Sequence, residues 1–343
     1  MKVSNKAWLV IVLGGLGITS AGACDSTPGA AASVDAAVDM AAEVMAVNLP
    51  DAMDSAVDLP EVTLFGTTCQ MPNPASSGLP NPAMYDTGIP GTVFDRMTGL
   101  MWQRSAGGST YSQAGAAAYC KNNKLGGYAD WRLPTLIELV SIVDFTASSP
   151  SIDALTFQGT SSNLYWTGTP LVGHPNNAWY VGFGPGNSNF LDITASSLAR
   201  CVRTSMNMAA ACFAPGARFK LDAGLVTDAS TGLVWQQAVP VDQVTWPAAK
   251  AACAAAGEGF RLPSLKELQT LVDYGMAYPG PGAAPGAAID PTAFPATPPA
   301  AFWTSSSVSG SSAVMWIVRF DNGDSGSSNI AAATDIRYVR CVH

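Results

Sequence analysis

The sequence is poor in charge and in histidine. Only 12% of its 343 residues are Asp, Glu, Lys or Arg, and the two histidines are His174 and His343. So little charge argues against long solvated helices and bundles. Two distant histidines and no Cys-x-x-Cys leave no zinc-ligand spacing. His174 sits in a Gly-His-Pro-Asn-Asn loop and His343 ends the chain, so neither suggests a base within reach of a nucleophile. No glycine-rich piece follows a strand and opens a helix as a phosphate cradle would. The apolar run from Ala7 to Ile18 is too short to span a bilayer. The sequence therefore points to no metal, no cofactor and no catalytic group.

That run does have a reading. Lys2 and Lys6 precede it and small residues follow it up to Cys24, which predicts a secretory signal over residues 1–23. Ala21-Gly22-Ala23 fits an ordinary cleavage site, and Cys24 directly after it fits the lipid-bearing cysteine of a bacterial lipoprotein. The expectation is a chain held by a lipid on Cys24 at the bacterial outer membrane or cell surface, with the anchor as its sole membrane contact. The alternative is a cleaved chain, secreted or periplasmic. Residues 24–66 are Ala-rich, with eight acids and no base. One-sign charge and few aromatics predict a disordered tether. The tether contributes −8, equal to the whole chain's net charge, and the folded remainder is near neutral at −2. It gives no electrostatic ground for binding nucleic acid.

What the rest has in plenty is glycine (33), proline (24) and tryptophan (9). These predict a turn-rich α+β or β protein whose cores use large aromatics. The rest is also duplicated. Asp130-Trp131-Arg132-Leu133-Pro134-Thr135 returns as Gly259-Phe260-Arg261-Leu262-Pro263-Ser264, and Thr98-Gly99-Leu100 returns as Thr231-Gly232-Leu233. Tyr165-Trp166-Thr167 returns as Phe302-Trp303-Thr304, and Arg200-Cys201-Val202 as Arg340-Cys341-Val342. These place module one at 67–205 and module two at 210–343. Each has an Ala-rich helix carrying Cys120 or Cys253, and a second helix opened by a capping box, Thr135 with Glu138 or Ser264 with Glu267. Leu136, Leu139, Val140 and Val143 mark one apolar face of that second helix in module one.

Six cysteines remain beyond Cys24, an even number that suits disulfides in an exported chain. The duplication pairs Cys120 with Cys201 and Cys253 with Cys341. Cys69 and Cys212, each just before its module, are left over, and their pairing stays open.

Repetition makes Trp131-Arg132-Leu133-Pro134 a folding signature, with Trp131 in the core and Arg132 paired to an acid such as Asp130. Asp321-Asn322-Gly323-Asp324 superficially resembles a calcium loop, but Ala332 stands where the twelfth-position acid belongs. A solvated hairpin turn is the expectation. The unlike polar turns are left as the ligand-binding candidates: Asn187 and Asn189 in module one, Asp321, Asn322 and Asp324 in module two.

This ordered set of motifs resembles the Lcl C-terminal domain family, named after a Legionella collagen-like adhesin and part of the C-type-lectin-like superfold. The resemblance covers about 95–203 and 228–343. It implies an α+β fold of two tandem modules, each with two helices and a twisted antiparallel sheet whose terminal strands approach each other. The first-helix cysteine bonding to the last-strand cysteine is consistent with that fold. It implies an adhesin-like, non-catalytic surface protein whose partner is an extracellular glycan or protein. The named adhesin binds sulfated polysaccharides; this chain has neither its collagen repeat nor a strong basic patch. It also lacks the Glu-Pro-Asn, Gln-Pro-Asp and Trp-Asn-Asp strings of calcium-dependent sugar-binding lectins. The alternatives are an enzyme or enzyme partner related to the formylglycine-generating branch of the superfold, and a structural envelope component.

Overall fold

Each module opens on a turn that its sequence specifies. In a computed structural model describing residues 71–204, 218–240, 242–276, 286–331 and 334–343, Asp95 accepts hydrogen bonds from the Met97 amide and the Thr98 hydroxyl. The Gly99 amide then closes on the Asp95 carbonyl at 2.8 Å, with Gly99 at φ +70°, where a side chain would be strained. Asp228, Ser230, Thr231 and Gly232 repeat the arrangement, with Gly232 at φ +75°. The segments expected to be a signal and a tether lie outside the described residues, as do Cys24, Cys69 and Cys212.

Module one runs β1 (Tyr85–Asp86), β2 (Thr92–Asp95), β3 (Leu100–Gln103), α1 (Gln113–Lys121), α2 (Leu136–Ser141), β4 (Leu164–Pro170), β5 (Asn177–Gly182), β6 (Asn187–Asp192) and β7 (Val202–Thr204). Module two runs β8 (Phe219–Asp222), β9 (Leu225–Asp228), β10 (Val234–Gln236), α3 (Trp246–Ala255), α4 (Leu265–Gln269), β11 (Ala301–Ser307), β12 (Val314–Arg319) and β13 (Ser325–Asn329). Both sequence-derived capping boxes are present in full. Pro247 sits in the first turn of α3, where a missing amide hydrogen costs nothing.

The fold is α+β, with few helices and small antiparallel sheets. Each module divides its strands between two sheets rather than building one. In module one these are β1-β2-β3-β7 and β4-β5-β6; in module two they are β10-β9-β8 and β11-β12-β13. The final extended segment causes the division by crossing between the two. Leu198 bonds the backbone of Leu164 and Trp166, and four residues later Val202 pairs with Trp102 and Arg132. In module two Tyr338 and Val342 take the same positions against Phe302 and Trp235. The disulfides Cys120–Cys201 and Cys253–Cys341 pin the first helix to this segment.

The modules share their largest core cluster, and each also buries a smaller cluster of its own around its disulfide. A single buried cluster contains Trp102, Leu139, Trp179 and Phe183 together with Trp235, Leu268, Trp316 and Phe320. Helix α2 packs on α4 and β6 packs on β13, so each element meets its own counterpart. That is the self-complementary geometry of a two-fold dimer, here within one chain.

Candidate functional site

The repeated motif is a structural device. Trp131 is buried, and its indole donates to the Leu125 carbonyl at 3.1 Å. Arg132 pairs with an acid, as expected, but the acid is Glu138 rather than Asp130, gripped through two bonds of 2.7 Å. The same carboxylate takes the Thr135 amide, so one acid completes the cap and holds the strand before it. Asp130 is held instead by Arg203, whose guanidinium keeps the carboxyl below its usual range. Arg261 and Glu267 repeat the fork at 2.8 Å. The motif's position before α2 fixes this choice: Glu138 lies one helical turn in, facing back along the strand.

Arg200 and Arg340, of the Arg-Cys-Val endings, are fully buried. Neither pairs with a carboxylate in the described hydrogen bonds. Each donates to two consecutive carbonyls, Gln103 and Arg104 or Gln236 and Gln237, and to one threonine, Thr160 or Thr297. Each also lies over a phenylalanine ring, Phe157 or Phe294. Burial lowers their pKa to about 10 and about 9. They brace the walls rather than face a ligand.

The polar turns come together at the internal two-fold. Asn187 and Asn189 flank Ser188 in β6, and Ser188 meets Ser325 of β13. Asn189 bonds back to the Phe190 amide. The turn expected to be solvated is partly buried: Asp324 is 5% exposed, bonds Asn322, and faces Arg319 at 3.3 Å. Burial raises the Asp324 pKa, with Arg319 opposing the shift and Asp321 adding to it. Of the five residues that sequence reasoning reserved for a ligand, Asp324 is buried and Asn187, Asn189, Asp321 and Asn322 are half-buried beside this seam. Among the described residues no group of three or more His, Cys, Asp or Glu converges as a metal site.

One open feature went unnoticed in the sequence. A groove of about 490 Å³ runs along α1, lined by Tyr111, Gly115, Tyr119, Asn122, Asn123 and Lys124. Tyr111 and Tyr119 stack with ring centroids 4.9 Å apart and 22° between planes. The Gln103 side chain donates to the Tyr119 hydroxyl at 2.8 Å and fixes that ring. The signal that could have found it is a comparison of the two copies, because Val244 and Ala252 stand where module one has the tyrosines.

Among the described residues no helix is long and apolar enough to cross a membrane. No curated protein matches the chain. The model of the Lcl C-terminal domain matches twice, over residues 91–203 and 224–343. With most of its length in those two matches, the chain belongs to the Lcl C-terminal domain family, as two copies in tandem.

Proposed function

We propose that this chain is an exported, adhesin-like surface protein that holds an extracellular polysaccharide or protein ligand and does no chemistry on it. The observation that carries this reading is the groove of module one. It is open, aromatic and amide-lined, and has one lysine in place of a paired acid and base. Membership of the Lcl C-terminal domain family supports it. The two disulfides suit an oxidising compartment, as export would provide. The N-terminal signal, the acidic tether and a lipid on Cys24 would place the folded part at a bacterial surface. A reading related to the formylglycine-generating branch would need a pair of reactive thiols. All four described cysteines are bonded to each other.

Retention of the full chain on immobilised polysaccharides and on cell surfaces tests the binding reading. Retention is the expected result; no retention on any surface, together with a measured turnover, would overturn it. Metabolic lipid labelling tests the anchor, and label that persists in Cys24→Ala would refute it.

A further inference from the structure

We propose that Lys266 is a proton-controlled clasp: reaching across from module two, it ties an N-terminal strap, residues 71–83, into the seam between the modules, and proton uptake loosens it. The device does not depend on what the chain binds.

The strap is poorly suited to pair as a strand. Pro72, Pro74, Pro80 and Pro82 lack an amide hydrogen. It closes on itself instead, with the Asn73 amide on the Asn81 carbonyl at 2.9 Å and the Ala83 amide on the Asn73 carbonyl at 2.8 Å. Its first residues are the buried ones. Met71 joins the shared core cluster, and Asn73 is fully buried. Between them the Pro72 carbonyl accepts from Lys266 Nζ at 2.6 Å. The same nitrogen donates to the Ser141 carbonyl, at the end of α2, at 2.7 Å. One side chain of α4 thus joins the strap to both modules. Residues 24–66 precede the strap, so the clasp sets where the folded part ends and the expected tether begins.

The second copy shows what module one lacks. Ser141 and Thr270 are equivalent, because each donates its hydroxyl to the carbonyl of its own capping glutamate. In module two the Thr270 carbonyl is taken by Arg218 of the same module, which also forks Asp228. The matching position in module one is Met84. Its carbonyl takes the Arg96 amide as the Arg218 carbonyl takes the Ala229 amide. Module one therefore has no arginine at that position, and Lys266 supplies the donor for Ser141 from the other module.

A lysine in place of an arginine brings proton control. A guanidinium keeps its charge, whereas a buried amine sheds its proton. Burial pulls the Lys266 pKa down to about 7, against Asp95 and Asp144. These two carboxylates, on β2 and just beyond α2, are the charges that face it. The strap contributes no titratable group. Glu267 is engaged by Arg261, and Arg218 by Asp228. Two N–H bonds satisfy the two carbonyls, so a neutral amine serves the closed clasp, and the third N–H of an ammonium calls for water. Lifting the strap admits that water. The open form holds the proton up to the ordinary value of 10.5 and the closed form only to about 7, so closure strengthens as pH rises between them.

Hydrogen exchange of the full chain at pH 6.5 and pH 9, corrected for intrinsic rates, tests the clasp. Protection of peptides covering 71–83 should be about tenfold higher at pH 9. At pH 6.5 the strap should exchange faster than α4. In Lys266→Met the strap should be protected equally at both pH values. Equal protection in the unaltered chain would overturn proton control. A pH dependence that survives Lys266→Met would overturn Lys266 as the titrating group. A strap no faster than α4 at pH 6.5 would show that it leaves only with the core, and would overturn the clasp. The first and third readings come from the unaltered chain, so the test stands even where Lys266→Met fails to fold.

Discussion

Ser188 and Ser325 occupy the same register position in the two modules, and they touch. Ser188 pairs with Val181 across its hairpin, and Ser325 pairs with the equivalent Val318. The Ser188 amide donates to the Ser325 hydroxyl at 2.8 Å, and the two hydroxyls are 3.1 Å apart. A residue that meets its own counterpart lies on a two-fold axis. A larger side chain there acts as a wedge in both modules at once. Ser325→Val should cost about 1–3 kcal/mol, and Ser188→Val a similar amount. Urea unfolding of the full chain measures both. The shared core predicts one transition for both modules; two separated transitions would contradict it.

The axis is broken by polar side chains from module two alone. Lys266 and Gln269 stand where module one has Ile137 and Val140. The buried Lys266 ammonium donates to the carbonyls of Pro72 and Ser141 at 2.6 and 2.7 Å. Gln269 donates to Ser188 at 2.9 Å. Burial lowers the Lys266 pKa to about 7, against the pull of Asp95 and Asp144. Between there and its ordinary value, the unfolded chain binds the proton and the folded chain does not, so stability rises with pH through that window. Burial raises the Asp95 pKa to about 6. Between its ordinary value of 3.8 and about 6 the folded state holds the extra proton, so stability falls as pH rises. Together they predict a stability minimum near pH 6–7. In Lys266→Met the rise above neutral pH should vanish, an effect on the order of a few kcal/mol. Thermal unfolding from pH 4 to pH 9 reads it; an unchanged profile would contradict the assignment.

Each capping carboxylate holds both a helix start and an arginine. Glu267 is 1% exposed at its side chain, and Glu138 is 6% exposed. Replacing either by Gln removes the charge and one face of the fork at constant size. Glu267→Gln should cost about 1–3 kcal/mol, and Glu138→Gln somewhat less because Arg132 is the more exposed arginine. Denaturant midpoints compare the two directly.

The disulfides close long loops, with sequence separations of 81 and 88 residues. Double replacement of Cys120 and Cys201 by Ser should cost about 2–5 kcal/mol, and the same change at Cys253 and Cys341 a similar amount. Peptide mapping without reduction should recover Cys120 with Cys201 and Cys253 with Cys341. A crossed pairing between modules would contradict the fold.

What the sequence disclosed was local or repeated. Thr135 with Glu138 and Ser264 with Glu267 form caps because residues three apart share a helical turn. The pairings of Cys120 and Cys253 follow from two copies of one pattern. The partner of Arg132 was missed because adjacency favoured Asp130, while α2 opens just after Pro134 and its capping box turns the Glu138 carboxylate back toward the residues before the helix. Asp324 was expected in solvent because nothing local marks β13 as an interface strand. Ser188, Lys266 and Gln269 act across modules, over separations no local pattern reports. The groove was legible in principle: Tyr119 against Ala252 is visible once the copies are aligned on their cysteines.

The central claim is that binding belongs to the side chains by which module one departs from module two. Hydrogen exchange of the full chain, free and bound to a polysaccharide that retains it, tests it most directly. Protection should appear in peptides covering residues 111–125 and leave 244–257 unchanged. Protection at 244–257, or confined to the seam turns around Asn187 and Asp324, would contradict it.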